Sequence, residues 1–393
     1  MSLEPLAACI TGLLLLPSAV LFAEVVSALV GRWRAAAGCE RRPSVAVLIP
    51  AHNESSVIIG SIRSIKPQIR AADRLIVVAD NCTDDTASIA RSEGADVIER
   101  FDDARRGKGF ALDYGVHYLR SDPREVVIIV DADCVVDSGA VDRLANDCAV
   151  TGRPVQALYL MRALSGASLG SRIAEFAFIM KNRIRPIGLQ NMGLPCQLMG
   201  TGMAFGWGII RDAPLATAHI TEDLALGIAM ARVGAAPVFC QDARVTSTFA
   251  RDSVSSSSQR MRWEHGHLHL MLKEGPRLLG QGFLHRDKDM IGMAADLCVP
   301  PLALLGMAVS LGCVAALVSF IEFGWALPGV VAGSSLVCLL GAVGLAWLGF
   351  GRELLSPANL AFAGIYAILK IPVYAKFIVK RQTEWIRSAR DGK

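Results

Sequence analysis

The sequence predicts an α/β domain with a mostly parallel sheet, set between apolar segments that cross a membrane. Three observations carry that expectation. Of 393 residues, 52% are hydrophobic and only 19% charged, the mean hydropathy is +0.41, and the apolar excess piles up at the two ends. Between the ends, short apolar runs alternate with helical spacing, and each run stops at a polar cluster. One run, Val126-Val127-Ile128-Ile129-Val130, leads straight into Asp131-Ala132-Asp133. Open α/β sheets place their ligands at such C-terminal strand ends.

At the amino end, residues 6–30 are apolar over about the 20 residues that a membrane helix needs, with Pro17 and Glu24 as interruptions. No basic region precedes the segment, which disfavours a secretory signal, and Arg32, Arg34, Arg41 and Arg42 follow it. The positive-inside tendency then puts the N-terminus outside and the next domain in the cytoplasm. The net charge of +4 is modest, and no basic-aromatic pattern points to nucleic acid. Ten cysteines without a C-x-x-C pair suit reduced thiols better than a disulfide framework or a zinc site.

Pro43 opens the globular part. The apolar run 45–50 ends at Ala51-His52-Asn53-Glu54, and the run 75–79 ends in the polar stretch from Asp80 to Thr86. Helices are expected over 55–70, over 87–94 with Gly94 as the stop, and over 108–119. A third strand fits 95–100. This is a nucleotide-binding architecture with neither a G-x-G-x-x-G fingerprint nor a Walker A loop, which argues against dinucleotide and P-loop enzymes. Asp131 and Asp133 stand at i and i+2, on one face of an extended chain. A kink there lets both reach one hard cation, Mg²⁺ or Mn²⁺, which in turn holds a diphosphate. Two solvated acids at a strand-to-turn junction would leave the same pattern.

Further on, 156–159 reads as a strand and 168–185 as an amphipathic helix. Its Phe176, Phe178, Ile179 and Met180 suit a core better than a membrane surface. Asp242, Arg244 and the serines at 255–258 read as connecting loop. His265, His267 and His269 fall at i, i+2 and i+4, so only the outer two share a helix face, and a third metal ligand is not evident.

Six motifs in order resemble those of the family-2 glycosyltransferases, whose GT-A fold is a Rossmann-like mixed sheet. They are IPAHNE at 49–54, VADNCTDDT at 78–86, RGKG at 106–109, DAD at 131–133, Thr221-Glu222-Asp223 and QRMRW at 259–263. The last two resemble the TED and Q-(Q/R)-x-R-W motifs of cellulose-synthase-like members. The likeness covers about residues 43–270.

The resemblance implies roles. Asp80 would accept from the uracil N–H of a UDP-sugar, with Pro50, Asn53 and Glu54 lining the nucleoside pocket. Ala79 stands where the family commonly has an aspartate, leaving Asp80 as the single nucleoside acid. Lys108, between two glycines, would approach and neutralise phosphate. Asp133 would ligate the metal, with Asp131 supporting it or contacting ribose or diphosphate. Gly200, Thr201, Gly202 and Trp207 fall where the family places an acceptor loop, with Glu222 nearby. A glycine-rich hairpin with no ligand role fits that stretch nearly as well. Asp223, in the first turn of an apolar helix stopped by Gly234, would be the general base, although acids also sit there as caps. With Gln259 in the same motif, Arg262 suits a bidentate phosphate contact and Trp263 a sugar face. Arg260 suits either a diphosphate or a lipid headgroup.

At the carboxyl end, spans are expected near 301–321 and 326–349. Residues 357–379 carry Lys370, Pro372 and Lys376 and are expected to lie in the interface, keeping the basic tail cytoplasmic. Trp385 and Arg387 are expected to fold back over the nucleotide site. The resulting division is a transmembrane helix at 1–31, a GT-A domain at 43–275, an interfacial lead-in with two transmembrane helices at 276–350, and an interfacial helix with a basic tail at 351–393.

The expected protein is a membrane-anchored inverting glycosyltransferase that uses Mg²⁺ or Mn²⁺. It would move a sugar from a nucleotide-sugar donor, UDP-linked, to a lipid or polyprenyl-linked acceptor at the cytoplasmic face of the cell (inner) membrane, as in exopolysaccharide or surface-glycan synthesis. A processive synthase that extrudes its polymer is the alternative, though about three spans are few for a channel. A non-catalytic scaffold on a decayed transferase fold is disfavoured, because no acid at a catalytic position is missing. A transporter is disfavoured, since the spans show no paired repeats.

Overall fold

The computed structural model describes residues 3–31, 41–164, 166–217, 221–249, 253–371 and 373–374. The expectations for Trp385, Arg387 and the end of 357–379 lie outside them. The chain forms two compact units. The sheet unit comprises Trp33–Arg162 and Pro195–Gly266, and the helical unit comprises Met1–Arg32, Ala163–Leu194 and His267–Gln382.

The chain opens with α1 (Glu4–Gly12) and α2 (Leu15–Val30). The sheet unit then follows as β1 (Val45–Ala51), α3 (Ile58–Ile65), β2 (Arg74–Asp80), α4 (Thr86–Ser92), β3 (Asp96–Arg100), α5 (Lys108–Leu119) and β4 (Val126–Ile129). Next come β5 (Val135–Val136), α6 (Ala140–Thr151) and β6 (Val155–Arg162). α7 (Leu169–Ile179) and α8 (Arg185–Asn191) belong to the helical unit. The sheet unit resumes with β7 (Met203–Gly206), α9 (Trp207–Ile210), α10 (Glu222–Arg232) and β8 (Val238–Thr248).

The sheet has the order β3-β2-β1-β4-β7-β6-β8-β5. β1 pairs in parallel with both β2 and β4, while β7 runs antiparallel to β4. The chain therefore winds outward from β1 to β3 and then returns to β4 on the other side, and the crevice at that reversal is where such sheets take ligands. The register sets the level of the edge: Pro50 stands opposite Val78, and Leu48 opposite Ile129. The polar residues after β1, β2 and β4 thus emerge along one edge. Helix packing fixes the sheet from one side. Leu112, Val116 and Leu119 of α5 are buried with Leu48, Ile76, Val78 and Ile129, and a Cβ on Gly115 would lie 2.5 Å from Leu48 Cδ1. In α3, Ile58, Ile62 and Ile65 recur at i, i+4 and i+7, and all are buried.

Two expectations are corrected here. Asp242 and Arg244 are part of β8, not of a loop. β8 changes register against β6 between Ala157 and Leu158, and that irregularity hides the strand's alternation. The serines at 255–258 begin the 33-residue α11 (Ser253–His285).

The helical unit adds α12 (Lys288–Leu297), α13 (Leu302–Phe323) and α14 (Leu327–Ala346). Among the described residues, three stretches are long and apolar enough to cross a membrane: Glu4–Val30, Leu302–Phe323 and Leu327–Gly351. α7 brings Ile173 and Phe176 into a core with Leu21, Val25, Val309 and Leu339. Residues Ala163–Leu194 thus belong to the helical unit, although the sequence placed them within the span 43–275. Within residues 357–371, α15 (Pro357–Ala361) and α16 (Ala363–Ile368) are separate short pieces. Within this unit Arg185 is buried between Glu24 and Asp296, its Nε 2.7 Å from Glu24 Oε2 and its Nη2 2.5 Å from Asp296 Oδ1. α8 also approaches α2 at backbone contact: a Cβ on Gly188 would fall 1.9 Å from the Glu24 carbonyl oxygen.

Candidate active site

The edge after β1, β2 and β4 gathers polar groups that are far apart in sequence. After β1 the chain turns at Asn53, whose φ is +54. The Asn53 Oδ1 accepts from the Thr83 amide at 2.7 Å and the Asp84 amide at 3.3 Å. The Glu54 amide donates to Thr86 Oγ1 at 2.8 Å. The loops after β1 and β2 are thereby tied into one wall. At its base Asp80 is 5% exposed, and its Oδ1 accepts from Arg100 at 2.6 Å and from Asn81 at 3.1 Å. The Asp80 carbonyl meets His52 Nδ1 at 2.7 Å.

After β4 the chain turns at Ala132 and Asp133. The Asp131 amide donates to Thr201 Oγ1 at 3.0 Å, and the Cys134 amide donates back to the Asp131 carbonyl. Ser247, at the end of β8, donates to Asp133 Oδ2 at 3.0 Å. Asp131, Asp133 and Cys134 bring ligand atoms within 4.8 Å of one another. Cys134 is buried, and burial together with the flanking aspartates pushes its thiol well above the ordinary range. Asp131 and Asp133 supply two carboxylates, a donor set that fits a hard divalent cation such as Mg²⁺ or Mn²⁺.

Lys108 begins α5 and joins this cluster to the next. Its ammonium is ion-paired with Asp131, donates to the Gly200 carbonyl at 2.7 Å and lies 3.8 Å from Glu222 Oε1. Burial pulls that ammonium down, but Asp131, Glu222 and Asp223 outweigh it and hold it above its ordinary range. Burial likewise pushes the Glu222 carboxyl up to about 7, against the pull of Lys108. Asp223 occupies the first turn of α10, where the helix dipole favours an anion, and its Oδ1 accepts from the Leu224 amide at 2.9 Å. A Cβ on Gly200 would stand 3.4 Å from Asp223 Oδ2 and 3.6 Å from Lys108 Nζ. The Gly200 backbone thus passes within ordinary contact distance of both, in a φ of +90 that glycine adopts without strain.

QRMRW lies within α11. A Cβ on Gly266 would fall 2.3 Å from Thr221 Cγ2, so α11 touches the start of α10. Arg262 is one turn earlier on the same helix face. Arg260 stacks at 5.9 Å over the Phe249 ring. Gln259 and Trp263 flank them on the same helix.

A family model described as glycosyltransferase like family 2 matches residues 43–266. The chain belongs to that family. This glycosyltransferase is 28% identical over 190 residues to an uncharacterized glycosyltransferase of Mycobacterium tuberculosis, covering 43% of this chain and 83% of the relative. It is 36% identical over 113 residues to a 4,4'-diaponeurosporenoate glycosyltransferase of Staphylococcus aureus, covering 28% of this chain and 29% of the relative. Among solved structures, a mannosyltransferase from Pyrobaculum calidifontis in complex with GDP-Man and Mn²⁺ superposes with a TM-score of 0.56 at 16% identity, over 97% of this chain and 100% of that one. That likeness establishes the GT-A fold with flanking helices.

Within the glycosyltransferase site, the sequence-based residues sort by place. Asp131, Asp133, Lys108, Glu222, Asp223 and Gly200 come together, and Pro50, Asn53, Glu54 and Asp80 form the adjoining wall. Three acceptor expectations are corrected. Thr201 is fully buried and holds the Asp131 amide. Gly202 is buried too, since its Cβ would meet Ala157 Cβ at 2.7 Å. Trp207 lies beyond the far end of β7, where its amide donates to the Glu125 carbonyl before β4 begins. An antiparallel strand necessarily carries it away from Asp131. Gln156, Ser247 and Arg100 are the residues that sequence reasoning missed. Gln156 is fully buried and bonds the Thr201 carbonyl and the Met199 amide. Nothing in their spacing sets them apart from ordinary strand residues.

Proposed function

We propose that this family-2 glycosyltransferase is an inverting enzyme that transfers a sugar from a UDP-sugar to a lipid or polyprenyl-linked acceptor at the cytoplasmic face of the membrane. The observation that carries the reading is the single cluster in which Lys108 bridges the Asp131–Asp133 edge to Glu222 and Asp223. Asp131 and Asp133 would hold Mg²⁺ or Mn²⁺, which supplies charge stabilisation to the departing diphosphate. Asp80, Asn53 and Glu54 bind the nucleoside along the wall beside it. Arg262 supports the diphosphate from α11, and Trp263 packs on a sugar. Asp223 takes the proton of the acceptor hydroxyl as that oxygen forms its bond to the anomeric carbon, and the bond to the diphosphate oxygen breaks on the opposite face. Attack opposite the leaving group inverts the anomeric centre.

The three apolar stretches support a lipidic acceptor, because a soluble acceptor needs no membrane anchor. Basic residues after the first of them support the cytoplasmic placement in a cell membrane, and a polyprenyl carrier in exopolysaccharide or surface-glycan assembly is the setting that suits both. The test is a donor-by-acceptor screen with the purified protein in detergent, reading nucleotide release and glycolipid product, with Asp223→Asn as control. A UDP-sugar should give a lipid-soluble glycoside with the wild type and none with the variant. Release that is equal in both, or product confined to soluble acceptors, would overturn the proposal.

A further inference from the structure

The Lys108 ammonium stands inside the acid cluster, not beside it. Its contacts with Asp131, the Gly200 carbonyl and Glu222 place a monovalent cation at the very carboxylate a divalent cation would share. Two positive centres at one carboxylate repel each other, strongly so at a site partly screened from water. The arrangement is nevertheless open to exchange: the side chains of Lys108 and Asp131 are 20% and 31% exposed, and lysine offers a single mobile point charge with no fixed fork. A diphosphate arriving at this edge reverses the balance. It brings negative charge of its own and gives the ammonium a new partner.

We infer that Lys108 is a resident counter-ion that couples the two ligands: in the nucleotide-free chain it holds the metal-binding aspartate against divalent cations, and a nucleoside diphosphate releases that hold. Lys108 is thus a positioning residue for cation binding as well as a diphosphate contact. The inference rests on the proposed donor site. Coupling of this kind is reciprocal, so metal also tightens the nucleotide.

The experiment is Mn²⁺ titration of the purified full chain, followed by electron paramagnetic resonance, with and without UDP, for the wild type, Lys108→Met, Lys108→Gln and Lys108→Arg. Without UDP, both neutral variants should bind Mn²⁺ about tenfold tighter than the wild type, and Lys108→Arg should match the wild type. In the wild type itself, saturating Mn²⁺ alone should raise the acetylation rate of Lys108, read by mass spectrometry, which keeps the test valid if the neutral variants do not fold. Neutral variants that bind Mn²⁺ no tighter than the wild type, or an acetylation rate indifferent to Mn²⁺, overturn the coupling alone. Absence of Mn²⁺ binding to the wild type even with UDP overturns the donor site itself.

Discussion

Arg185 and Lys108 each stand between two carboxylates, one in the helical unit and one in the sheet unit, and the two are built differently. In the helical unit, Arg185 joins Glu24 to Asp296, with all three residues at least nine-tenths buried. Its guanidinium is a rigid fork that uses separate nitrogens for each acid, and it also donates to the Asp296 carbonyl at 2.7 Å. In the sheet unit, Lys108 joins Asp131 to Glu222 with a single nitrogen, at a place that solvent still reaches. The contrast teaches how to separate an ion pair that holds a fold from one that works. Burial and a multi-pronged donor make the first permanent, while partial exposure and a point charge leave the second free to change partners.

Breaking the permanent pair should have the largest effect. Arg185→Met leaves two acids buried without their cation and should cost about 3–5 kcal/mol, read as a fall in the unfolding midpoint in detergent. Lys108→Met should shift that midpoint by less than about 1 kcal/mol, and equal losses would erase the distinction. On the working side, Asp223→Asn should lower turnover by about 10²–10⁴-fold with the midpoint and UDP affinity held. Gly202→Ala sharpens the site's dependence on its support. Its φ of +65 and the 2.7 Å approach to Ala157 predict a loss of about 1–3 kcal/mol, with turnover falling as Thr201 shifts under Asp131.

A pH-dependent effect concerns another buried group of the helical unit. His267 is held down to about 3 by burial and by the charges of Lys181 and Arg185, and its Nε2 lies 3.1 Å from the Leu297 carbonyl oxygen. The folded chain keeps this ring neutral while the unfolded chain protonates it below about 6.5. Its contribution is therefore complete above that pH and is lost as pH falls from 6.5 toward 3, at up to about 1.4 kcal/mol per pH unit. His267→Gln should flatten that part of the pH profile of the unfolding midpoint.

How much was legible follows from the same contrast between local and distant causes. β1, β2 and β4 could be read because buried parallel strands are continuous apolar runs. α5 could be placed at 108–119 because Gly107 marks its start and apolar spacing ends at Leu119. Asp131, Asp133 and Asp223 stood out because each acid ends an apolar run or opens an apolar helix. β8 did not, for its register shift breaks the alternation at Asp242. Thr201 was misjudged because a hydroxyl beside glycines looks like a ligand contact until the strand partner that buries it is known. Trp207 was misplaced because the direction of β7 is a property of the sheet and not of the local sequence. The pairing of Arg185 with Glu24 spans 161 positions, and sequence spacing contains no trace of it.

The central claim is that the acid edge beside β4 takes a nucleoside diphosphate through a divalent cation. Titration calorimetry of UDP into the full chain, with Mn²⁺ or with a chelator, tests it directly in the wild type and in Asp133→Asn. UDP should bind the wild type with Mn²⁺, lose that affinity in the chelator, and bind the variant poorly under both conditions. Equal affinity in all four titrations would contradict the account.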